Sequence, residues 1–189
     1  MLYVRSGPDL VSVDTGRMPI MGTIARIQLR CATTAAGEAA IAEAKKALDE
    51  IDRLMSVYRE DSELSRVNRR AAEEDVQVSP ELYFVLEKSL QYSELTDGAF
   101  DVTVKPLVAL WKTAGKAGRS PTPDELAAAR EKVGWRKLIL GGPEKRTVHF
   151  SVPGMALDLN AIAKGYAVDR ALDAIRQPGV AAGMVDIGG

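Results

Sequence analysis

The chain has 189 residues, of which 46% are hydrophobic and 27% charged, with a formal net charge of −1. That length buries a real core in one domain or slightly more, and the composition is globular rather than disordered. Near-neutrality excludes a bulk electrostatic pull toward nucleic acid or anionic membrane, and no basic stretch with interleaved aromatics supports nucleic-acid binding. A single cysteine, Cys31, rules out an intrachain disulfide and a cysteine-cluster metal site. With one histidine besides, His149, any metal is expected to be a hard cation held by oxygen.

No window approaches about 18 consecutive apolar residues, so no transmembrane helix is predicted. Met1–Gly7 lacks a basic head followed by a long apolar segment, and Gln28-Leu29-Arg30 before Cys31 is no lipoprotein cleavage site. The sequence as given predicts a soluble, cytoplasmic chain.

Residues 1–20, punctuated by Gly7, Pro8, Gly16 and Pro19, read as an irregular arm. Met21 to Arg30 reads as a strand with Thr23, Ala25, Ile27 and Leu29 on one face and Arg26, Gln28 and Arg30 on the other. Gly22 at its entry admits the close approach of another backbone or a flat ligand. Ala35 to Met55 is an amphipathic helix, with Ile41, Ala44, Leu48, Ile51 and Met55 at helical spacing. Ser56 to Asn68 follows as a polar loop with a helical turn from near Ser62. Within it Tyr58 either plugs the core or covers a planar ligand.

Ser79-Pro80 opens a second helix, which continues to about Leu95. Asp97-Gly98 signals a turn, and Asp101 and Thr103 would share a face of an extended segment after it. This is either a helix-to-strand turn or a ligand-contact loop. Gly115 to Ser120 is a basic connector, and Thr122 with Glu125 forms a capping box for a helix ending near Gly134. Lys137–Leu140 and Arg146–Phe150 flank Gly141–Lys145 as a hairpin, which makes His149 a strand residue rather than a ligand.

Met155 to Leu159 is an apolar run interrupted by Asp158, and Asn160 offers an N-cap for a helix from Ala161 with Val168, Leu172 and Ile175 on one side. Free backbone N–H groups, the helix dipole and Lys164 together suit a phosphate, with Asp158 able to orient a polar ligand group. The alternative is an ordinary capped helix with a solvated Lys164. The glycine spacing matches neither a Walker motif nor a Rossmann fingerprint. A last strand spans Gly183 to Gly189. Hairpin strands mixed with helices argue for α+β, or α/β with a mixed sheet and flanking helices.

The ordered set Met21-Gly22-Thr23, Ser56-Val57-Tyr58, Asp61-Ser62-Glu63-Leu64-Ser65 with Asn68, Asp97-Gly98-Ala99-Phe100-Asp101 with Pro106-Leu107 and Trp111, Asp158 through Asp169, and Asp186-Ile187-Gly188-Gly189 resembles the ApbE family. Members of that family are FAD:protein FMN transferases. The resemblance runs from about residue 18 to the last residue and corresponds to the N-terminal half to two-thirds of such a protein, so that residues 21–189 form an incomplete ApbE-like domain. It implies FAD as substrate, Mg2+, and transfer of FMN to a threonine or serine hydroxyl of an acceptor protein with release of AMP. Hydrolysis of FAD to FMN and AMP is the variant reaction. By position, Met21, Tyr58, Ala99, Phe100, Asp101, Asp158 and Lys164 would contact the nucleotide, and the Ala161 carbonyl would be a magnesium ligand.

The sequence departs from the family in two places. The glycine-rich Asp-Leu-Gly-Gly pattern is here Asp158-Leu159-Asn160-Ala161. Family members also continue well beyond the position of Gly189, carrying the other magnesium ligands and a histidine that assists the hydroxyl. The resemblance therefore also implies a FAD-binding half that a partner chain, or self-association, would complete. Members are often exported to the cell envelope.

Overall fold

A computed structural model describes residues 9–188. In chain order its elements begin with strands β1 (Val11–Asp14), β2 (Met18–Ile20) and β3 (Thr23–Cys31), then helices α1 (Thr34–Met55) and α2 (Glu63–Arg70). Strand β4 (Val76–Gln77) and helix α3 (Pro80–Leu95) follow, then a 3-10 turn at Val102–Val104 leading into α4 (Lys105–Lys116), and α5 (Pro123–Arg130). A second 3-10 turn at Trp135–Lys137 precedes β5 (Leu138–Leu140), β6 (Thr147–Phe150), α6 (Ala163–Ile175) and β7 (Val180–Ile187). Two compact units result, one of residues up to Asp52 together with those from Lys164 onward, the other Arg53–Ala163.

In the first unit β3 is the central strand. Ala25 pairs with Met18 on one side and Ile187 on the other, and Leu29 with Val13 and Gly183, so β1 and β2 lie in tandem along one edge and β7 along the other. Every pairing is antiparallel. The alternation expected of β3 is observed: Ala25, Ile27, Leu29 and Cys31 are buried. Each large apolar side chain so removed from water contributes roughly 1.5–3 kcal/mol. Facing partners come from α1, whose Ala40, Ile41, Ala44, Leu48 and Ile51 are buried at helical spacing. A Cβ on Gly37 of this helix would fall 2.5 Å from Val13 Cγ2, so α1 approaches β1 at the one position that lacks a side chain.

The irregular N-terminal arm is corrected for residues 9–20, which contain β1 and β2; residues 1–8 lie outside the described residues, as does Gly189. Tertiary pairing overrides the Gly and Pro signals. Gly16 makes the turn at φ 64°, and Pro19, opposite Ile24, needs no N–H on an edge strand. The Asp14 carboxylate accepts from Arg26, Gln28 and the Gly16 N–H, and the Arg26 bond above all holds its pKa well below the carboxylate range. Met21 and Gly22, at φ 47° and 70°, form the two-residue turn between β2 and β3, so the strand begins at Thr23 rather than Met21. On α6 the fully buried stripe is Ala167, Ala171 and Ile175; Val168 and Leu172, expected on the core side, are only half-buried.

The second unit contains a three-stranded antiparallel sheet in the order β4-β6-β5, with Val148 opposite both Val76 and Leu140. The expected hairpin is its β5–β6 pair, with His149 in β6 and its Nδ1 3.3 Å from Asp75 Oδ1. Caps decide the helices. Ser62 Oγ accepts from the Ser65 N–H, Ser79 Oγ from the Leu82 N–H, and Thr122 with Glu125 forms the full capping box. Helix α5 ends at Arg130, short of Gly134, because the Lys132 and Val133 N–H groups turn back to the Ala129 and Arg130 carbonyls. Leu64, Val67, Leu82, Leu86, Val102, Phe150, Leu157 and Leu159 fill the core. The fold class is thus α+β with antiparallel sheets.

Candidate functional site

Residues Met155–Leu159 are extended but belong to no strand. Met155, Leu157 and Leu159 are buried, so the alternate residues Ala156 and Asp158 face away from the core and are half-buried. Without a ladder the backbone is held by a side chain. Asn68 Nδ2 donates to the Leu157 carbonyl at 3.1 Å, and the Leu157 N–H donates to Asn68 Oδ1 at 2.6 Å. The Asp158 N–H then donates to the Val102 carbonyl at 2.8 Å, which seats Asp158 beside the turn that opens α4. Asp158 Oδ1 accepts from the Asn160 N–H at 2.9 Å, and among the described residues Oδ2 has no hydrogen bond. Asn160 is therefore not the N-cap. The Leu159 carbonyl takes the Ile162 and Ala163 N–H groups, α6 begins at Ala163, and two donors expected to be free for an anion are already used.

The loop after α3 supplies the opposite wall. Asp97 and Gly98 turn it at φ 48° and 80°, and the Phe100 ring stands edge-on to Tyr92 with centroids 6.1 Å apart. Asp101 does not lie on an extended segment. Its Oδ1 accepts from the Thr103 N–H and hydroxyl, and its Oδ2 from the Trp135 N–H at 3.0 Å, while Thr103 Oγ1 accepts from the Gly134 N–H. The Asp101 carboxylate thus fixes the loop rather than standing ready for a ligand. Ala99, Phe100, Asp101, Asp158, Asn160 and Ala161 line one cavity of about 490 Å3, within the range of small-molecule sites. A wall of small residues, one aromatic ring and one carboxylate with an open oxygen suits a planar polar ligand.

Tyr58 does not plug the core: it is 64% exposed. Its loop is stapled on both sides, since Ser62 Oγ donates to the Ser56 carbonyl and Ser65 Oγ to the Arg59 carbonyl, each at 2.7 Å. Lys112 of α4 stands 5.9 Å over its ring. Glu63 of the same motif accepts from the Ser79 N–H and hydroxyl and ties this loop to the start of α3. These motif residues build the scaffold that displays Tyr58.

Sequence reasoning missed Lys105. It is half-buried at the first position of α4, and burial pushes its pKa down, with the Asp158 charge opposing and Lys112 adding to the shift. A lysine followed by proline carries no sequence signal of burial. Of the residues expected at the site, Ala99, Phe100, Asp101, Asp158 and Ala161 come together at the cavity. Tyr58 belongs to the same unit, whereas Met21, in the β2–β3 turn, and Lys164, second residue of α6, belong to the other. Among the described residues no group of three or more His, Cys, Asp or Glu can hold a metal. Ala161 supplies one carbonyl at most, so these residues do not by themselves form the octahedral oxygen shell that magnesium demands.

The ApbE family model matches residues 21–189. The chain belongs to the ApbE family. It is 40% identical over 158 residues to the FAD:protein FMN transferase of Vibrio cholerae, covering 79% of this chain and 46% of that protein. To the Haemophilus influenzae FAD:protein FMN transferase it is 35% identical over 160 residues, covering 82% and 46%. The structure of the flavin transferase ApbE from Vibrio cholerae superposes with a TM-score of 0.82 at 34% identity, over 95% of this chain and 58% of that one. The apo flavinyl transferase ApbE of Pseudomonas stutzeri gives 0.81 at 29% identity, over 95% and 59%. This chain therefore spans about half the length of the curated ApbE relatives it matches, and is a partial ApbE.

Proposed function

We propose that this chain is the flavin-nucleotide-binding part of a magnesium-dependent FAD:protein FMN transferase. The observation that carries the reading is the cavity in which Ala99–Asp101 meet Asp158 and Ala161, residues far apart in sequence, in a chain with relatives of that name. In the reaction a threonine or serine hydroxyl oxygen of an acceptor protein attacks the FMN phosphorus. A phosphoester forms, the phosphoanhydride bond to AMP breaks, and the hydroxyl proton is lost. Magnesium, when bound, would neutralise charge on the pyrophosphate, and the Ala161 carbonyl would be one of its oxygens. This chain's own residues position the nucleotide. Asp158 presents its open oxygen to a ligand donor, and the Ala99–Phe100 wall lies against a planar group. FAD and an acceptor protein are the partners.

A second reading is FAD binding without turnover by this chain alone. The cavity favours it, because its residues line a nucleotide-sized pocket while Ala161 offers a cation one carbonyl. AMP release from FAD, measured with magnesium and with EDTA, and with or without a threonine-bearing acceptor peptide, decides between them. Magnesium-dependent release that needs the acceptor establishes the transferase, and release without it the hydrolase. FAD binding without AMP release establishes the binding module.

A further inference from the structure

A second groove, of about 580 Å3, runs between α4 and α5, and none of Ala99–Asp101, Asp158 or Ala161 lines it. Its floor is apolar, built from Ala109 and Leu110 of α4 and Ala128 and Ala129 of α5. Three charged residues line it: Lys105, Glu125 and Lys132. Glu125 is already spent, because its two oxygens take the Arg119 guanidinium and one of them the Thr122 N–H. Among the described residues neither lysine side chain has a salt bridge or hydrogen-bond partner. The stem of Lys132 lies across Gly154, where a Cβ would fall 3.1 Å from Lys132 Cδ and where φ is +80°. A side chain at Gly154 would push this stem aside by a few tenths of an ångström and would strain the backbone. Lys105 is half-buried and makes no ion pair, so the Asp158 charge offsets only part of the cost of withdrawing it from water, and an anion in the groove would offset more.

We propose that the α4–α5 groove binds a small apolar anion, an aryl or alkyl carboxylate or sulfonate, with its hydrocarbon on the alanine–leucine floor and its charge met by Lys105 and Lys132. The site stands independently of the flavin reading, since it shares no lining residue with the residues expected to bind FAD. It borders that cavity, however: Ala156 lines the groove two residues from Asp158.

The probe is 1-anilinonaphthalene-8-sulfonate, with neutral N-phenyl-1-naphthylamine as its uncharged counterpart, titrated by calorimetry and fluorescence. Far-UV circular dichroism checks that each variant is folded. Saturable binding of one sulfonate per chain is expected, with the neutral probe weaker. Lys132→Met and Lys105→Met should each weaken the sulfonate by about tenfold, the scale of one charge-assisted contact, and leave the neutral probe unchanged. Lys132→Arg should restore it. Saturating FAD should leave the sulfonate affinity unchanged. Equal binding of the neutral probe, wild-type sulfonate affinity in both methionine variants, or displacement by FAD would each overturn the proposal. So would a signal lost on dilution to monomer, which would make the groove an interface between copies.

Discussion

Strand β3 and the Met155–Leu159 segment have the same alternating apolar pattern and different fates. In β3 the backbone is paired along both edges, and Ala25, Ile27, Leu29 and Cys31 fill the core. In the second segment Met155, Leu157 and Leu159 are buried just as deeply, yet no strand flanks it; one asparagine and one carbonyl hold its backbone. The difference separates scaffold from site. A ladder uses every polar group on both edges, whereas an extended segment clamped at two points leaves the opposite face open, and Asp158 occupies it.

The largest break in this comparison should come from Ile27→Ala. Truncating a fully buried branched side chain in a strand paired on both edges should cost about 2–5 kcal/mol, read by urea denaturation. Asn68→Ala strikes the other clamp. It leaves the Leu157 N–H and carbonyl buried without partners, a loss of about 1–3 kcal/mol, and should also weaken FAD binding, measured by flavin fluorescence on the folded variant. Asp158→Asn sharpens the contrast. The amide oxygen still accepts from the Asn160 N–H, so stability should change by less than about 1 kcal/mol, while FAD affinity falls. An unchanged affinity would remove Asp158 from the site.

The smallest effect is electrostatic and lies outside both segments. The Arg119 guanidinium, followed by the Thr122 N–H, lowers the Glu125 carboxyl from 4.5 to about 2. A depressed folded pKa stabilises above the unfolded value and is lost as pH falls through the folded one, so this contribution is complete above about pH 4.5 and disappears toward pH 2. The urea midpoint followed across that window should fall less in Glu125→Gln than in the parent chain.

What the sequence made legible was local. Ser79-Pro80 and Thr122 with Glu125 start α3 and α5 where they do because a cap is satisfied within four residues. The burial pattern of β3 follows directly from its period of two. What failed depended on distant partners. Val11–Asp14 and Met18–Ile20 become strands only because β3 is there to receive them. Asn160 loses its capping role because the Leu159 carbonyl, on a segment held in place by Asn68 and Val102, takes the Ile162 and Ala163 N–H groups. At the cavity, the family motifs named the lining residues Ala99, Phe100, Asp101, Asp158 and Ala161, of which Asp101 also braces the loop; Lys105, outside that lining and buried by tertiary packing, carried no signal at all.

The pairing of β3 with β7 joins residues near the two ends of the described chain. Unit Arg53–Ala163 is one continuous stretch, whereas the sheet around β3 draws on both sides of it. Synthesis is vectorial, so the continuous unit emerges whole while β3 still lacks its partner. For that interval one edge of β3, with unsatisfied amides and carbonyls, is open to any extended polypeptide nearby. Chains truncated before Val180 and released from the ribosome should therefore show protease protection within residues 53–163 and cleavage around β3, and protection at both sites would mean that β3 is shielded without β7.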